Sequence, residues 1–402
     1  MSSPALLDVP VPVRAPASTA HLRLALAGGG TGGHLVPGLH VLEHAATRGG
    51  LADLVWFTSG REVEERVLAR LGERAAPTPV ERVVLELEPR GGGAPSRARL
   101  VLRTPPSVMA ARIALVRHRP DVLLALGGFT CLPAVIAARS LGIPVALLEI
   151  NAARGAATRW LSRFAARVFH AWSATVPEGA RIDAEIGFGA HRVVGPPLSN
   201  AFARGAVDAP RARAARAELG FAPERPLLVV LGGSQGALGL NRFVREHAPS
   251  LLVQGVQILH QTGPARAGES ARALPGYRSL EYVEGMHAAL AAATLALTRG
   301  GASTLAEIAA LRLPALVVPY PHHADRHQER NARVFGPGLR IVEERALGAE
   351  FAGELARLCG PGGDEERQRM RAALAAAVPL DAAERLCDGL LELARARRTT
   401  NR

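Results

Sequence analysis

The sequence predicts an α/β protein with two Rossmann-like domains that face each other across a cleft. Short apolar runs rich in Leu, Val and Ile alternate with Ala-rich helical stretches, which is typical of parallel strands buried between helices. Two such series follow one another, and each opens with a strand that leads into a glycine-rich turn. The length of 402 residues and the hydrophobic content of 48% are sufficient for two separate cores.

The apolar runs predict strands in both halves of the chain. In the first half these strands are Leu22–Ala27, Leu54–Thr58, Val122–Leu126, Val145–Glu149 and Val168–Ala171. In the second half they are Leu227–Leu231, Gln257–His260, Leu295–Thr298, Ala315–Val318 and Arg340–Val342.

The boundary between the domains is expected near residues 196–200. Here a Gly-Pro-Pro sequence is followed by a polar stretch that contains Arg and Pro. We therefore expect a first domain over residues 21–197 and a second domain over residues 198–380.

The two ends of the chain are expected to differ in structure. Residues 1–20 contain Asp8 and four prolines and lack the charged start of a signal peptide, so they are expected to form a disordered leader. Residues 381–402 are expected to form a helix and tail that pack back towards the first domain. The apolar side chains at helical spacing in this segment are Leu386, Leu390 and Leu393.

The basic residues are all arginines, because the 48 Lys+Arg include no lysine. This excludes a Schiff base and the lysine of a Walker A phosphate site. The net charge of +12 is spread along the chain without a basic tract interleaved with aromatics, which argues against nucleic acid as a partner. A charge excess of this kind is better suited to an anionic lipid surface.

The cysteines and the hydropathy pattern indicate where in the cell the protein is expected. Cys131, Cys359 and Cys387 lie far apart without CxxC spacing, which argues against a zinc site or disulfides and for a reducing compartment. No stretch reaches the roughly 18 apolar residues of a membrane span. The protein is expected to be cytoplasmic and either soluble or peripheral to a membrane.

The first predicted strand runs into AGGGTGGH, residues 27–34, which contains G-x-G-x-x-G between a strand and a helical pattern that starts at Pro37. Such turns most often bind NAD, which needs an acidic residue after the second strand. That strand ends in Phe-Thr-Ser-Gly-Arg without a carboxylate, and only the nearby Glu62 keeps the NAD alternative open.

Two further glycine turns lie in the second half. In LLVVLGGSQGALGLN, residues 227–241, Ser234 and Gln235 can donate hydrogen bonds to phosphate oxygens. The Gly300-Gly301 turn opens a helix that carries Glu307, whose carboxylate could accept two hydrogen bonds from a ribose diol. The alternative is an exposed glutamate in the first turn that opposes the helix dipole.

These segments together resemble the MurG family, peripheral membrane glycosyltransferases that transfer N-acetylglucosamine from its UDP donor to lipid I and so form lipid II. The resemblance implies the GT-B arrangement of two Rossmann-like domains. The matching segments, in order over nearly the whole chain, are GGGTGGH, RPDVLLALGGF, SLGIPVALLEIN, LGGSQGALGLN, HQTG, EYVEGM, RGGASTLAEIAALRLPALVVPYP, HQERNA and DAAERL.

The resemblance implies a site for UDP-N-acetylglucosamine mostly in the second domain. The phosphates would lie on Ser234, Gln235 and Gly236, and Glu307 would bind the ribose. The uracil would lie near Tyr282, Val283 and Met286. His327 and Gln328 would bind the sugar hydroxyls, with Asn331 supporting the loop. The remaining donor-binding residues would be Thr31, Gly32, Gly33 and Asn151.

The acceptor, lipid I, is implied to bind mainly to the first domain. His34 would either act as the catalytic base or contact the acceptor, and the sequence leaves both roles open; a residue that only hydrogen-bonds the turn is the further alternative. A neutral imidazole is suited to take the proton from an attacking hydroxyl. The residues implied to contact the acceptor are Gly30, His34, Cys131 and Glu149.

The chain departs from the family pattern at three places. Leu148 and Ile150 replace the His and Gln of the family's HEQN segment, whose Glu and Asn are matched by Glu149 and Asn151. Ser199 stands where the family's GNPVR segment has an arginine near the nucleotide, and Cys131 where a small hydroxyl residue is usual.

The resemblance implies an inverting displacement that needs no cofactor. The chain has no D-x-D metal motif, so we expect the Ser234–Gly236 turn to stabilise the leaving diphosphate without a metal. The polyprenyl-linked acceptor implies a peripheral enzyme at the cytoplasmic face of the membrane. Residues 96–119, which mix arginines with apolar residues, are the candidate membrane surface, and an ordinary packed helix is the alternative.

Other functions remain open on the sequence alone. They are another UDP-sugar-dependent lipid glycosyltransferase, a UDP-sugar epimerase of the same architecture, an NAD dehydrogenase, and a basic lipid or nucleic-acid binder that keeps the fold without catalysis.

Overall fold

The structure is a computed structural model that describes residues 22–30, 32–48, 50–87, 96–182, 190–264, 274–322 and 325–400. Thr31 and the leader over residues 1–20 lie outside the described residues. Among the helices in the described ranges, none is long and apolar enough to cross a membrane.

The first domain is a parallel sheet with helices on both faces. Its strand order is β3-β2-β1-β4-β5-β6-β8-β7. The strands are β1 Leu22–Gly28, β2 Leu51–Thr58, β3 Val80–Val84, β4 Val122–Gly127, β5 Val145–Glu149, β6 Arg167–His170, β7 Arg181–Ile182 and β8 Ala190–Val193. The helices are α1 Gly32–Thr47, α2 Glu62–Val67, α3 Leu71–Ala75, α4 Arg97–His118, α5 Cys131–Ser140 and α6 Ala156–Leu161.

The second domain repeats this plan with the strand order β11-β10-β9-β12-β13-β14. Its strands are β9 Leu227–Leu231, β10 Gln257–Gln261, β11 Tyr277–Leu280, β12 Leu295–Thr298, β13 Ala315–Val317 and β14 Leu339–Ile341. Its helices are α7 Ala209–Glu218, α8 Leu238–Val253, α9 Met286–Ala292, α10 Ala302–Ala310, α11 His327–Arg333, α12 Ala349–Cys359 and α13 Asp364–Ala373, and the chain ends in α14 Ala382–Thr400.

Every strand predicted from the sequence is present, which confirms the two-domain α/β architecture. The strands β3, β7, β8 and β11 were not predicted because they are short and carry charged or polar residues, as in Val-Glu-Arg-Val-Val of β3. Helix α1 begins at Gly32, not at Pro37, so the last glycine of the first turn and His34 lie in the first turn of the helix.

The strand order reverses at an equivalent point in each sheet. β1 pairs with β2 on one side and β4 on the other, and β9 pairs with β10 and β12 in the same way. In open α/β sheets a ligand binds beyond the carboxyl ends of the strands at such a switch point. The glycine turns after β1, β4, β9 and β12 all lie at these ends.

Helix α14 leaves the second domain and completes the core of the first. Leu386, Leu390 and Leu393 are buried in one cluster with Leu24 and Val41 of the first domain. Gly389 permits this contact, because a Cβ there would lie 2.6 Å from the ring of Phe169. Glu392 on the same helix pairs with Arg167 and Arg192.

We predict that Leu390→Ala destabilises the first domain by about 3 kcal/mol, because it leaves a cavity at a fully buried position between two sequence-distant elements. Chemical unfolding followed by circular dichroism would measure the change. Arg395→Ala, on the exposed face of α14, is the matched control. Equal stability of the two variants would contradict the packing described for α14.

Candidate active site

A cavity of about 670 Å³ lies between the two domains. From the first domain it is lined by one face of α1, between Gly32 and Glu43, and by residues of α2 and α3 between Arg66 and Arg74. From the second domain it is lined by Ser234, by the segment after β11 and by the start of α10. The sequence-predicted donor residues in this lining are Gly32, Gly33, Ser234, Tyr282, Val283, Met286 and Glu307.

The two glycine turns that follow β1 and β9 come into direct proximity. A Cβ at Gly32 would lie 3.0 Å from Ser234 Oγ, so a larger residue at this position would press against the opposite turn. The Ser234 hydroxyl therefore lies at the point where the domains approach most closely along these turns. Gln235 is exposed outside this lining, and its phosphate contact remains a prediction.

Gly236 has a structural role in the second turn. Its φ of 75° lies in the left-handed region, and a Cβ would collide with the carbonyl oxygen of Thr262. Asn241 donates to the same carbonyl at 2.8 Å. The turn is thus held against the loop that follows β10.

Gln261 positions two parts of the cavity lining at once. Its Nε2 donates to Gly233 O at 2.9 Å, and its Oε1 accepts from the Val283 amide at 3.1 Å. No role was predicted for Gln261 from the sequence, although it lies in the HQTG segment. A buried side-chain amide that links two loops cannot be recognised without knowing which loops are adjacent. Tyr282, next in the chain to Val283, is largely buried, which raises the pKa of its phenol.

Glu307 is buried at the base of the cavity. It lies in the second turn of α10, which begins at Ala302, so the alternative of an exposed glutamate in the first helical turn is wrong. Burial raises the pKa of this carboxyl to about 8. His40 Nε2 of α1 lies 3.8 Å from Glu307 Oε1 across the domain interface.

The first glycine turn is closed by a buried carboxylate. Glu64 accepts hydrogen bonds from the amides of Gly30 at 2.7 Å and Gly60 at 2.7 Å, and from Ser59. Arg61 donates to Gly30 O at 2.9 Å. The Gly30 amide is therefore not available to a pyrophosphate, which disfavours the NAD alternative.

The amide and the carbonyl of Gly30 are both engaged within the first domain, and its contact with the acceptor stays a prediction. Glu62, which kept the NAD alternative open, is exposed and pairs with Arg66 at 2.7 Å. It does not reach the turn as a ribose ligand would.

His34 lies in the first turn of α1 beside Gly127, the last residue of β4, and Gly128. Its Nδ1 is 3.0 Å from Gly29 O, and because a carbonyl only accepts, Nδ1 carries the proton. In this tautomer the lone pair lies on Nε2, where a general base requires it. A Cβ at Gly127 would lie 2.8 Å from the ring, so glycine makes room for the imidazole.

Two residues expected to contact the acceptor are buried and satisfied by their own surroundings. Glu149 accepts from the Asn151 amide at 3.1 Å, the Gly155 amide at 2.7 Å and Thr158 Oγ1 at 2.6 Å. Cys131 Sγ lies 3.1 Å from Ala27 O. Glu149 thus folds the loop after β5, and Cys131 joins α5 to β1. Their contact with the acceptor stays a prediction.

Asn151 takes part in a second contact across the cleft. Asn331 of α11 donates to Asn151 Oδ1 at 3.2 Å and to Gly300 O at 3.0 Å, and accepts from the Ala152 amide at 2.8 Å. Asn331 therefore supports the loop after β12, as expected. It also joins that loop to the first domain.

Gln328 and His327 stand at the start of α11, beside the same loop. Gln328 Oε1 accepts from the amides of Gly300 at 3.2 Å and Tyr320 at 2.9 Å, so this oxygen holds the loop after β12. Binding of a sugar hydroxyl by Gln328 stays a prediction. His327 Nδ1 contacts Asp325 at 2.8 Å. Within the described residues, His, Cys, Asp and Glu form no cluster that could hold a metal ion.

Comparison with known proteins defines the class. The profile of the glycosyltransferase family 28 N-terminal domain matches residues 24–170, and that of its C-terminal domain matches residues 227–339. The chain is therefore a two-domain glycosyltransferase of family 28.

The particular family follows from full-length relatives. The chain is 37% identical over 390 residues to the UDP-N-acetylglucosamine--N-acetylmuramyl-(pentapeptide) pyrophosphoryl-undecaprenol N-acetylglucosamine transferase of Sorangium cellulosum (strain So ce56), covering 93% of this chain and 89% of the relative. It is 35% identical over 388 residues to the enzyme of the same name from Anaeromyxobacter sp. (strain K), covering 94% of each. The chain belongs to this family of transferases, the MurG family.

Solved structures share the fold. The crystal structure of Acinetobacter baumannii MurG matches with a TM-score of 0.63 at 23% identity, over 92% of this chain and 99% of that one. A UDP-N-acetylglucosamine 2-epimerase from Listeria monocytogenes matches with a TM-score of 0.61 at 12% identity, over 91% and 95%. These similarities show the fold alone, and the sequence relatives favour the transferase over the epimerase.

The raised pKa of Glu307 predicts a pH-dependent stability. Between its ordinary pKa of 4.5 and about 8, the unfolded chain loses this proton while the folded chain retains it, so wild-type stability falls as the pH rises through this range. Glu307→Gln replaces the carboxyl by a group that does not titrate, so it removes this pH dependence of the stability. We therefore compare the difference in melting temperature, Glu307→Gln minus wild type, at two pH values. We expect this difference to be larger at pH 8.5 than at pH 5 by about 3 °C or more.

Thermal unfolding at both pH values would measure this, with Glu284→Gln at the exposed mouth of the cavity as the control. If the difference in melting temperature between Glu307→Gln and wild type is the same at pH 5 and pH 8.5, the burial of an uncharged carboxyl is contradicted.

Proposed function

We propose that this protein transfers N-acetylglucosamine from UDP-N-acetylglucosamine to the muramoyl sugar of lipid I and so forms lipid II for peptidoglycan synthesis. The observation that carries the proposal is the cavity between the domains, where the Ser234 turn, Glu307 and the Tyr282–Val283 segment converge. The full-length relatives named above carry this activity in their names.

The donor binds with its nucleotide in the second domain. The ribose hydroxyls bind Glu307, and the uracil lies beside Val283, whose amide is held by Gln261. The diphosphate lies against Ser234. The start of α10, which lines the cavity over Gly301–Thr304 without an acidic residue in its first turn, adds its dipole and amides.

The chemical step is an inverting displacement at the anomeric carbon. His34 Nε2 takes the proton of the acceptor hydroxyl while that hydroxyl attacks, and UDP leaves on the opposite side. The negative charge that develops on the diphosphate is stabilised by the Ser234 turn and the helix dipole, in place of a metal. Gln328 Nε2 binds a hydroxyl of the transferred sugar.

The enzyme acts peripherally at the cytoplasmic face of the membrane, where the polyprenyl chain of lipid I is anchored. Helix α4 exposes an apolar face, defined here as Val101, Leu102, Met109, Ile113 and Val116; the first two are 73% and 74% exposed. Neighbouring helix α5 exposes further apolar side chains. Arginines of α4 border this apolar face, including Arg103 and Arg117, and would attract anionic headgroups.

The activity assay uses purified protein, UDP-N-acetylglucosamine and lipid I in detergent. We expect UDP release with formation of a lipid-linked disaccharide, both in the presence and in the absence of EDTA, and little turnover of simple glycolipids. Complete loss in EDTA that Mg²⁺ restores would overturn metal independence. Formation of an epimerised UDP-sugar without an acceptor would favour the epimerase alternative.

We predict that His34→Ala lowers kcat by about 100-fold or more while the KM for UDP-N-acetylglucosamine changes little, because it removes the base and leaves the nucleotide cavity intact. Steady-state kinetics with both substrates would measure this. An unchanged kcat with a raised KM for lipid I would assign His34 to acceptor binding instead.

We predict that replacing Val101 and Leu102 together by Ser weakens binding to anionic phospholipid vesicles by about tenfold, since each lost apolar side chain removes area from the bilayer contact. Co-sedimentation with the vesicles would measure this. Val253→Ser is the control, because Val253 is 88% exposed but lies in the second domain. Unchanged binding of the double variant would place the membrane contact elsewhere.

A further inference from the structure

His40 occupies a position where three parts of the molecule meet. It lies on α1 of the first domain and is buried. Its Nδ1 lies 2.9 Å from the carbonyl oxygen of Pro197, in the segment that joins the domains. Its Nε2 faces the cavity, 3.8 Å from Glu307 Oε1 of the second domain. One side chain thus contacts the first domain, the linker and the second domain.

The protonation of both groups follows from their surroundings. The Pro197 carbonyl only accepts, so His40 Nδ1 carries the proton and the lone pair of the neutral ring lies on Nε2. Burial lowers the pKa of His40 to about 4, with a smaller lowering by Arg74, and raises the pKa of Glu307 to about 8. Near pH 7 both are uncharged, so the pair is not an ion pair.

The uncharged carboxyl of Glu307 can donate a hydrogen bond, and the unprotonated Nε2 of His40 can accept it. The separation of 3.8 Å is too long for a direct hydrogen bond, but rotation of the carboxyl group or one bridging water would close it. The O–H of Glu307 would then be directed at His40, and its other oxygen would be turned towards the cavity. Packing alone does not account for a histidine here, because burying a polar ring costs free energy that an apolar residue avoids.

We propose that His40 is a positioning residue for donor binding, which orients the Glu307 carboxyl from the opposite domain so that the ribose hydroxyls bind when the domains are closed. This inference rests on the ribose-binding role proposed for Glu307. It concerns the nucleotide alone and involves no contact of His40 with the reacting atoms.

The test compares two nucleotides by isothermal titration calorimetry: UDP, and 2′,3′-dideoxyuridine diphosphate, which lacks the ribose hydroxyls. His40→Ala is expected to weaken UDP binding by about tenfold and to leave binding of the dideoxy nucleotide unchanged. In kinetics, the KM for UDP-N-acetylglucosamine should rise while kcat changes little. A histidine needed only for packing would lower the affinity for both nucleotides alike, and that result would overturn the inference.

Two further variants separate the contacts of His40. His40→Asn can keep a donor for the Pro197 carbonyl but cannot reach Glu307, so it should bind UDP as weakly as His40→Ala while retaining wild-type stability. If His40→Ala does not fold, His40→Asn still tests the inference. His44→Ala, one turn further along α1 and outside the cavity lining, should bind both nucleotides as wild type does. If His40→Asn prefers UDP over the dideoxy nucleotide as strongly as wild type does, the inference is overturned.

Glu307→Ala distinguishes this inference from the proposed function. If Glu307 binds the ribose, wild type prefers UDP over the dideoxy nucleotide, Glu307→Ala loses the preference, and adding His40→Ala to it has no further effect. If wild type binds both nucleotides equally, the ribose role itself is wrong. If Glu307→Ala loses the preference but His40→Ala keeps it, only the role of His40 is wrong.

Discussion

The approach of the two glycine turns at Gly32 and Ser234 is the contact on which the site depends. Each turn lies at the switch point of its own parallel sheet, where the strand order reverses and the carboxyl ends of adjacent strands diverge. Because Gly32 has no side chain, the Ser234 hydroxyl can reach the opposite turn. The same approach brings α1 against α10 and encloses Glu307 in a cavity that neither domain forms alone.

Buried polar side chains hold the loops around this contact. Glu64 fixes the first glycine turn, Glu149 folds the loop after β5, and Gln261 links the second turn to the segment beside the nucleotide. A buried carboxylate or amide is stable only when its hydrogen bonds are satisfied, so each of these residues also fixes the loop that satisfies it. The side chains proposed for binding and catalysis, Ser234, Glu307 and His34, lie on or beside the loops held in this way.

The sequence predicted the features that depend on local pattern. Apolar runs located the strands, and glycines after them located the turns, because both signals come from neighbouring residues. The contacts that Glu149 and Cys131 make within their own domain were not predicted, because a motif does not show which way a side chain points. His40 and Gln261 were missed for a related reason: their partners, Glu307 and Val283, are distant in sequence or on another loop, so only the folded chain brings them together.

A crystal structure of the protein with UDP would test the central claim most directly, since that claim concerns where a diphosphate binds between the two turns. The account predicts diphosphate oxygens within hydrogen-bond distance of Ser234 and the start of α10, with the ribose on Glu307 and the uracil beside Val283. A diphosphate bound instead at the first glycine turn, with the Glu64 carboxylate displaced from the Gly30 amide, would contradict it.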